Sequence, residues 1–262
     1  MSTRSSRPAS PPDEAGVAIQ PIWKELAGIP ESVLSAPGMA LAAAMAPQGS
    51  SRPVLVLPGF TSGDLGTVPL RAFIRALGHR PSGWGLGMNV GVADHIVVGL
   101  DRVLREMAHR HGTTIDIVGW SAGGLLGRLL AQNRSEFVGQ VISLGSPVRL
   151  HDDNHNLGAL PDLVGKLFVP FAPHISTESV PVPSTTIWTA GDGVVSGMHC
   201  KQPIRPEAEA IQVRGTHLGL GSNPAVMYAV ADRLAQVGPW TPFDPPRRLR
   251  WMYGALDSDV AS

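Results

Sequence analysis

Five consecutive residues, Gly119-Trp120-Ser121-Ala122-Gly123, match the pattern G-x-S-x-G. They follow a short apolar run, Ile115-Asp116-Ile117-Val118. They precede Leu125, Leu126, Leu129 and Leu130, which are spaced for one face of a helix. A serine at the tip of a strand-to-helix turn sits in strained backbone with its hydroxyl exposed, and the flanking glycines let strand and helix approach. The helix N-terminus adds N–H groups and a positive dipole end beside the reacting oxygen. The five residues alone also fit an ordinary glycine-rich turn, so the chemistry depends on partners elsewhere in the chain.

A serine nucleophile needs a base, and the base needs a group that orients it. The chain order expected for this elbow is serine, acid, histidine. Asp192 lies just past an apolar run, Thr186–Ala190, and His217 just past another, Ile211–Val213. Both therefore fall at carboxyl ends of predicted strands, where open parallel sheets build their sites. Asp192 alone could stabilise a glycine turn, and His217 alone could be a surface loop residue. Of the other histidines, His79, His95, His109 and His111 precede the elbow, and His151, His155 and His174 fall in a long irregular stretch. His199 is the rival to His217, but it follows no recognisable strand. The expected triad is Ser121, Asp192 and His217. An oxyanion hole needs two N–H donors: Ala122 after the nucleophile, and Phe60 in Pro58-Gly59-Phe60-Thr61 after the run Val54–Leu57. Pro58 has no N–H to give, and a plain Pro-Gly turn is the other reading of that segment.

The elements that must position these residues follow from periodicity. Strands are expected at Val54–Leu57, Arg80–Trp84 (weakened by Pro81), Ile115–Val118, Val141–Leu144, Thr186–Ala190 and Ile211–Val213. Short helices precede residue 48, broken at Pro30. A helix capped by Thr67 carries Leu70, Phe73, Ile74 and Leu77 and stops at Gly78. Another opens at Asp94 and buries Ile96, Val97, Leu100, Val103, Leu104 and Met107 at the 3.6 period. The last is capped by Asn223-Pro224 and carries Val226, Val230 and Leu234. Strands alternating with helices predict an α/β fold, a mostly parallel sheet covered on both faces. Residues 148–184, Pro-rich and without that alternation, read as an insertion.

Composition narrows the function. The chain has 262 residues, with 21 Lys+Arg against 21 Asp+Glu. Zero formal charge argues against nucleic-acid binding through phosphate neutralisation. A chain of this size buries about 75% of its unfolded surface, enough for a deep core. A single cysteine, Cys200, excludes an internal disulfide framework and a cysteine-built metal site; it reads as a small packing residue. Residues 1–20 lack the apolar core of a secretory signal and read as a disordered leader. No apolar run approaches the roughly 20 residues of a membrane span. With the lone cysteine, these features give the expectation of a cytoplasmic protein. Residues 241–262 read as a C-terminal tail; its basic-aromatic stretch Arg247–Tyr253 is expected to pack on the domain or stay solvated, with peripheral membrane contact left open.

With those residues in place, the chain resembles an α/β-hydrolase, and more narrowly a bacterial lipase/esterase-like member. The resemblance spans roughly residues 50–240. It rests on Leu57-Pro58-Gly59-Phe60, Trp84-Gly85-Leu86-Gly87, the elbow, Leu144-Gly145-Ser146-Pro147, Asp192-Gly193-Val194-Val195 and Gly215-Thr216-His217-Leu218-Gly219. Two positions depart from many lipases: Pro58 and Trp120 stand where those carry histidine. The resemblance implies a hydrolase domain over 21–240, with 148–184 as a cap or lid. Trp120, Leu157, Leu163, Phe168, Phe171, Val194 and Leu218 would line the substrate pocket. It implies hydrolysis of a small-molecule or lipid-like ester without cofactor or metal. The cluster His151-Asp152-Asp153-Asn154-His155 holds ligand types that suit zinc, but its spacing matches no closed site. The same triad also serves acyl transfer to an alcohol or amine, and a non-catalytic binding protein on this fold is the third reading. Oligomeric state is not legible.

Overall fold

The apolar runs become strands. In the structure, a computed structural model that describes residues 36–148, 179–195, 197–203 and 205–254, these are β1 (Pro53–Leu57), β2 (Arg80–Gly83), β3 (Ile115–Trp120), β4 (Val138–Leu144), β5 (Ser184–Thr189) and β6 (Ala208–Val213). Every pairing is parallel, in the order β2-β1-β3-β4-β5-β6. The weakest prediction, Arg80–Trp84, is the edge strand β2. An edge is where a sheet tolerates proline, because one side of the strand makes no ladder bonds.

The helices are α1 (Ala36–Met45), α2 (Val68–Ala76), α3 (Asp94–His111), α4 (Ala122–Asn133), α5 (Gly197–Cys200) and α6 (Pro224–Ala235). Period-two alternation in β1 divides the core. Val54 and Val56 face one layer with α1, α2 and α6; Leu55 and Leu57 face the other with α3 and α4. The expected two-sided cover is present. Asn223 caps α6 as read, its Oδ1 accepting from the Ala225 and Val226 N–H groups. Thr67 stands at the N-cap of α2, yet its hydroxyl donates to the Asp64 carbonyl and accepts from Arg71 Nε, so it does not cap the helix. Four-residue α5 had no periodic signal.

Residues 241–254 pack against the α1/α6 layer. Phe243 and Tyr253 are buried in the α1/α6 layer and stack edge to face, Tyr253 donates to the Ala225 carbonyl, and the Phe243 N–H donates to the buried Glu209 carboxylate. Trp251 stays exposed. Among the described residues, no helix is long and apolar enough to cross a membrane. The leader and most of the insertion, residues 149–178, lie outside the described residues.

One buried group carries a pH prediction. His79 is 3% exposed, and neither ring nitrogen has a hydrogen-bond partner among the described residues. Burial, and secondarily the Arg52 charge, lower its pKa below the ordinary 6.5. Below that pH the unfolded chain binds a proton that the folded chain refuses. Stability is therefore highest above it and falls as pH drops. Urea unfolding at pH 7 and pH 5 is expected to show a smaller stability loss for His79→Leu than for the unsubstituted chain. Equal losses would remove His79 from the explanation.

Candidate active site

The strand order decides where a site forms. β1 lies between β2 and β3, so chain direction across the sheet switches at β1/β3, the point beyond whose carboxyl ends open α/β sheets bind their ligands. Leu57 pairs with Gly119, so the loop after β1 and the serine elbow emerge side by side. β3 runs through Trp120 and α4 begins at Ala122, which leaves Ser121 as the whole turn. Ser121 has φ +53° and ψ −120°. A non-glycine residue there is strained by about 1–3 kcal/mol and persists only when its surroundings over-determine it.

Those surroundings explain the glycines. A side chain at Gly119 would collide with the Gly123 and Gly124 backbone, and one at Gly123 with the Leu57 carbonyl. Helix α4 thus packs directly onto β1 and β3. The Ser121 N–H donates to the Leu144 carbonyl at 2.7 Å, stitching the elbow to β4.

Asp192 and His217 follow the carboxyl ends of β5 and β6, on the same side of the parallel sheet as Ser121 after β3. His217 Nδ1 lies 2.7 Å from Asp192 Oδ2, with both side chains buried. The other carboxylate oxygen, Oδ1, accepts from the Val194 and Val195 N–H groups at 2.9 and 2.7 Å. These bonds fix the carboxylate plane and reserve one oxygen for the imidazole. The acid and histidine turns touch: Thr189 Oγ1 donates to the Gly215 carbonyl and accepts from the Gly191 N–H. The histidine ring rests on Gly145, where an added Cβ would lie 3.1 Å from Nδ1. Gly145 follows Leu144, the residue bonded to the Ser121 N–H. Trp120 Nε1 donates to the His217 carbonyl at 3.3 Å, which ties the elbow to the histidine loop.

The loop after β1 comes up against the serine elbow. A Cβ at Gly59 would stand 3.5 Å from Ser121 Cβ, so this backbone reaches the serine. Thr61 has φ +58°; two of the four non-glycine residues with positive φ among the described residues therefore belong to this site. Asn89, fully buried, bonds this loop at several points, and the Asp64 carboxylate accepts from the Trp84 and Gly85 N–H groups. Neither residue was a candidate in the sequence. The available signal was a lone amide in the glycine-spaced stretch Gly85-Leu86-Gly87-Met88-Asn89-Val90-Gly91. Gly145 enters the sequence reading only within the stretch Leu144-Gly145-Ser146-Pro147, with no role beside the histidine.

The remaining candidates are distributed as follows. Phe60 follows Gly59 on the loop after β1, and Ala122 opens α4 directly after Ser121. Trp120 is half-buried against the α1/α6 layer, and Leu218 is 39% exposed beside His217. Val194 supports Asp192 through its main chain. Leu157, Leu163, Phe168 and Phe171 lie outside the described residues, as do His151, Asp152, Asp153 and His155. Among the described residues, no cluster of three or more His, Cys, Asp or Glu is placed to hold a metal. His199 sits on α5. Cys200 is buried; burial, and then the Asp192 charge, push its thiol well above the ordinary range, so it stays protonated at neutral pH.

No protein-family model matches the chain. No curated protein matches it either. Solved structures do. Lipase B of Aspergillus fumigatus superposes with a TM-score of 0.58 at 16% identity, over 75% of this chain and 55% of the lipase. The Bacillus licheniformis lipase BlEst2 gives 0.53 at 15% identity, over 77% and 54%. Mouse alpha/beta hydrolase domain-containing protein 10 gives 0.51 at 18% identity, over 70% and 88%. The chain thus spans about half the length of the two lipases. At these identities the likeness is one of fold.

Proposed function

We propose that this chain, which has the α/β-hydrolase fold, is a serine hydrolase of carboxylic esters that works through Ser121, His217 and Asp192. The observation that carries the reading is the single-residue turn: a serine held at φ +53° between β3 and α4, at the carboxyl end of the sheet that also carries the buried His217–Asp192 pair. Strain of this kind is stored where function requires an exposed, fixed group.

In the proposed reaction Asp192 accepts the Nδ1–H of His217, which leaves Nε2 as the basic nitrogen. Nε2 removes the Ser121 hydroxyl proton as Oγ attacks the ester carbonyl. The carbonyl oxygen gains the negative charge, and the N–H groups of Phe60 and Ala122 stabilise it. The C–O bond to the alcohol then breaks, with the proton on Nε2 passing to the departing oxygen. A water molecule then gives a proton to Nε2 as it attacks the acyl carbonyl; the bond to Ser121 Oγ breaks, Oγ takes the proton back from Nε2, and the acid is released. Trp120, Val194 and Leu218 would border the acyl group, with Leu157, Leu163, Phe168 and Phe171 contributing from a cap over 148–184. The two lipases lend the reading weight only as proteins sharing the fold.

Rapid-mixing assays with p-nitrophenyl esters from acetyl to lauroyl test it. Sustained release of p-nitrophenol is expected, with a chain-length optimum that sizes the pocket, together with fluorophosphonate labelling at Ser121. A burst of one equivalent followed by none would replace hydrolysis with acyl transfer. Absence of both release and labelling would overturn the reading.

A further inference from the structure

Among the described residues, the buried amide of Asn89 bonds only to main-chain atoms of two loops. Its Nδ2 donates to the Pro58 carbonyl at 2.7 Å, and its Oδ1 accepts from the Gly91 N–H at 2.9 Å. Its own carbonyl accepts from the Thr61 N–H, and its N–H donates to the Ser62 carbonyl, each at 2.8 Å. The side chain is 0% exposed. Burying an amide is unfavourable unless its hydrogen bonds are made, and here three of the four bonds, those to Pro58, Thr61 and Ser62, converge on one segment. Pro58 and Thr61 lie on either side of Gly59 and Phe60. A clamp on both therefore restricts the peptide planes between them.

From this geometry we infer that Asn89 is a positioning residue that holds the Phe60 N–H at the place where the oxyanion develops. The inference rests on the hydrolase reading above. Thr61, at φ +58°, occupies a strained conformation, and its N–H is one of the groups Asn89 ties down. Strain next to a clamp is what an over-determined loop looks like. The loop carrying Asn89 is itself fastened. Asp64, beyond the β1 loop, accepts from the Trp84 and Gly85 N–H groups at 3.0 and 3.1 Å, and Trp84 Nε1 donates to the Gly87 carbonyl at 3.0 Å. A Cβ at Gly63 would lie 2.9 Å from the Gly87 carbonyl, so the two loops are in backbone contact. Together they form one hydrogen-bonded unit, and Gly59 brings it against Ser121. A pre-set donor needs this, because a displacement of about 1 Å in a catalytic group can cost about 10²-fold in rate.

The test compares the full chain with Asn89→Asp and Asn89→Ala. The aspartate variant keeps an acceptor for the Gly91 N–H but turns an oxygen toward the Pro58 carbonyl, so repulsion shifts the β1 loop. The alanine variant removes both side-chain bonds. In each, kcat on the best p-nitrophenyl ester is expected to fall about 10²-fold while KM stays within about threefold, the pattern of an interaction made in the transition state. The inhibition constant of an alkylboronic acid, which forms a tetrahedral adduct on the serine, is expected to weaken in parallel with kcat. A purely structural role would lower the melting temperature and leave that parallel absent. Folded variants with normal kcat, or with unchanged boronate affinity, would overturn the inference. So would failure of both variants to fold, since Asn89 would then belong to the scaffold alone. If the unsubstituted chain neither turns over esters nor labels at Ser121, both readings fall. If it does both and the Asn89 variants match it, only this inference falls.

Discussion

Replacing Ser121 with alanine is expected to lower kcat on p-nitrophenyl esters by about 10⁶-fold, the loss that follows removal of such a nucleophile. The oxyanion donors and binding groups would leave a residual rate about 10³–10⁴-fold above the uncatalysed reaction. The substitution is well suited to its purpose because it isolates the hydroxyl. Alanine at φ +53° carries the same Cβ and a similar strain, and the Ser121 N–H bond to the Leu144 carbonyl is made by the main chain. Melting temperature should therefore change little, and fluorophosphonate labelling should vanish with turnover. Near-normal turnover by Ser121→Ala would assign the chemistry to another group and dissolve the triad.

Asp192→Asn is expected to cost about 10⁴-fold in kcat, again with little change in fold, because such a substitution leaves the imidazole in the wrong tautomer. The geometry gives the reason. Oδ1 of Asp192 accepts two main-chain N–H groups, from Val194 and Val195, so an asparagine must keep its carbonyl oxygen there. Its NH₂ then faces His217 Nδ1, 2.7 Å from Oδ2 in the parent. A donor at that position makes Nδ1 the acceptor and puts the ring proton on Nε2, which can no longer take the serine proton. Kinetics on short esters measure the loss. A drop of less than about tenfold would make Asp192 a turn-stabilising residue rather than the orienter.

These two substitutions act on residues found by order and placement along the chain, and much of the fold was legible in the same way. Val54–Leu57 and Ile115–Val118 are short apolar runs closed by Pro58-Gly59 and Gly119, and buried parallel strands leave that local trace. Asn223-Pro224 is a local helix start, and the cap forms as read. Elsewhere local pattern was a weaker guide. Thr67 occupies an N-cap position while its hydroxyl serves Asp64 and Arg71, because the preceding turn supplies competing partners. The edge strand β2 was faint because one unpaired side relaxes the demand for strand-forming residues.

The sequence by itself determined the elbow, the serine-acid-histidine order and the helix-strand alternation, since each is carried by residues close along the chain and by periods of 2 and 3.6. Only the tertiary structure decided which loops meet. The order β2-β1-β3 sets Gly59 beside Ser121, the β4 turn puts Gly145 beneath His217, and a hydrogen bond spanning 31 residues joins Asn89 to Pro58. The physical reason is that strand order and cross-loop hydrogen bonds depend on how whole elements pack. Periodicity specifies which face of an element is buried, and leaves open which neighbour it is buried against.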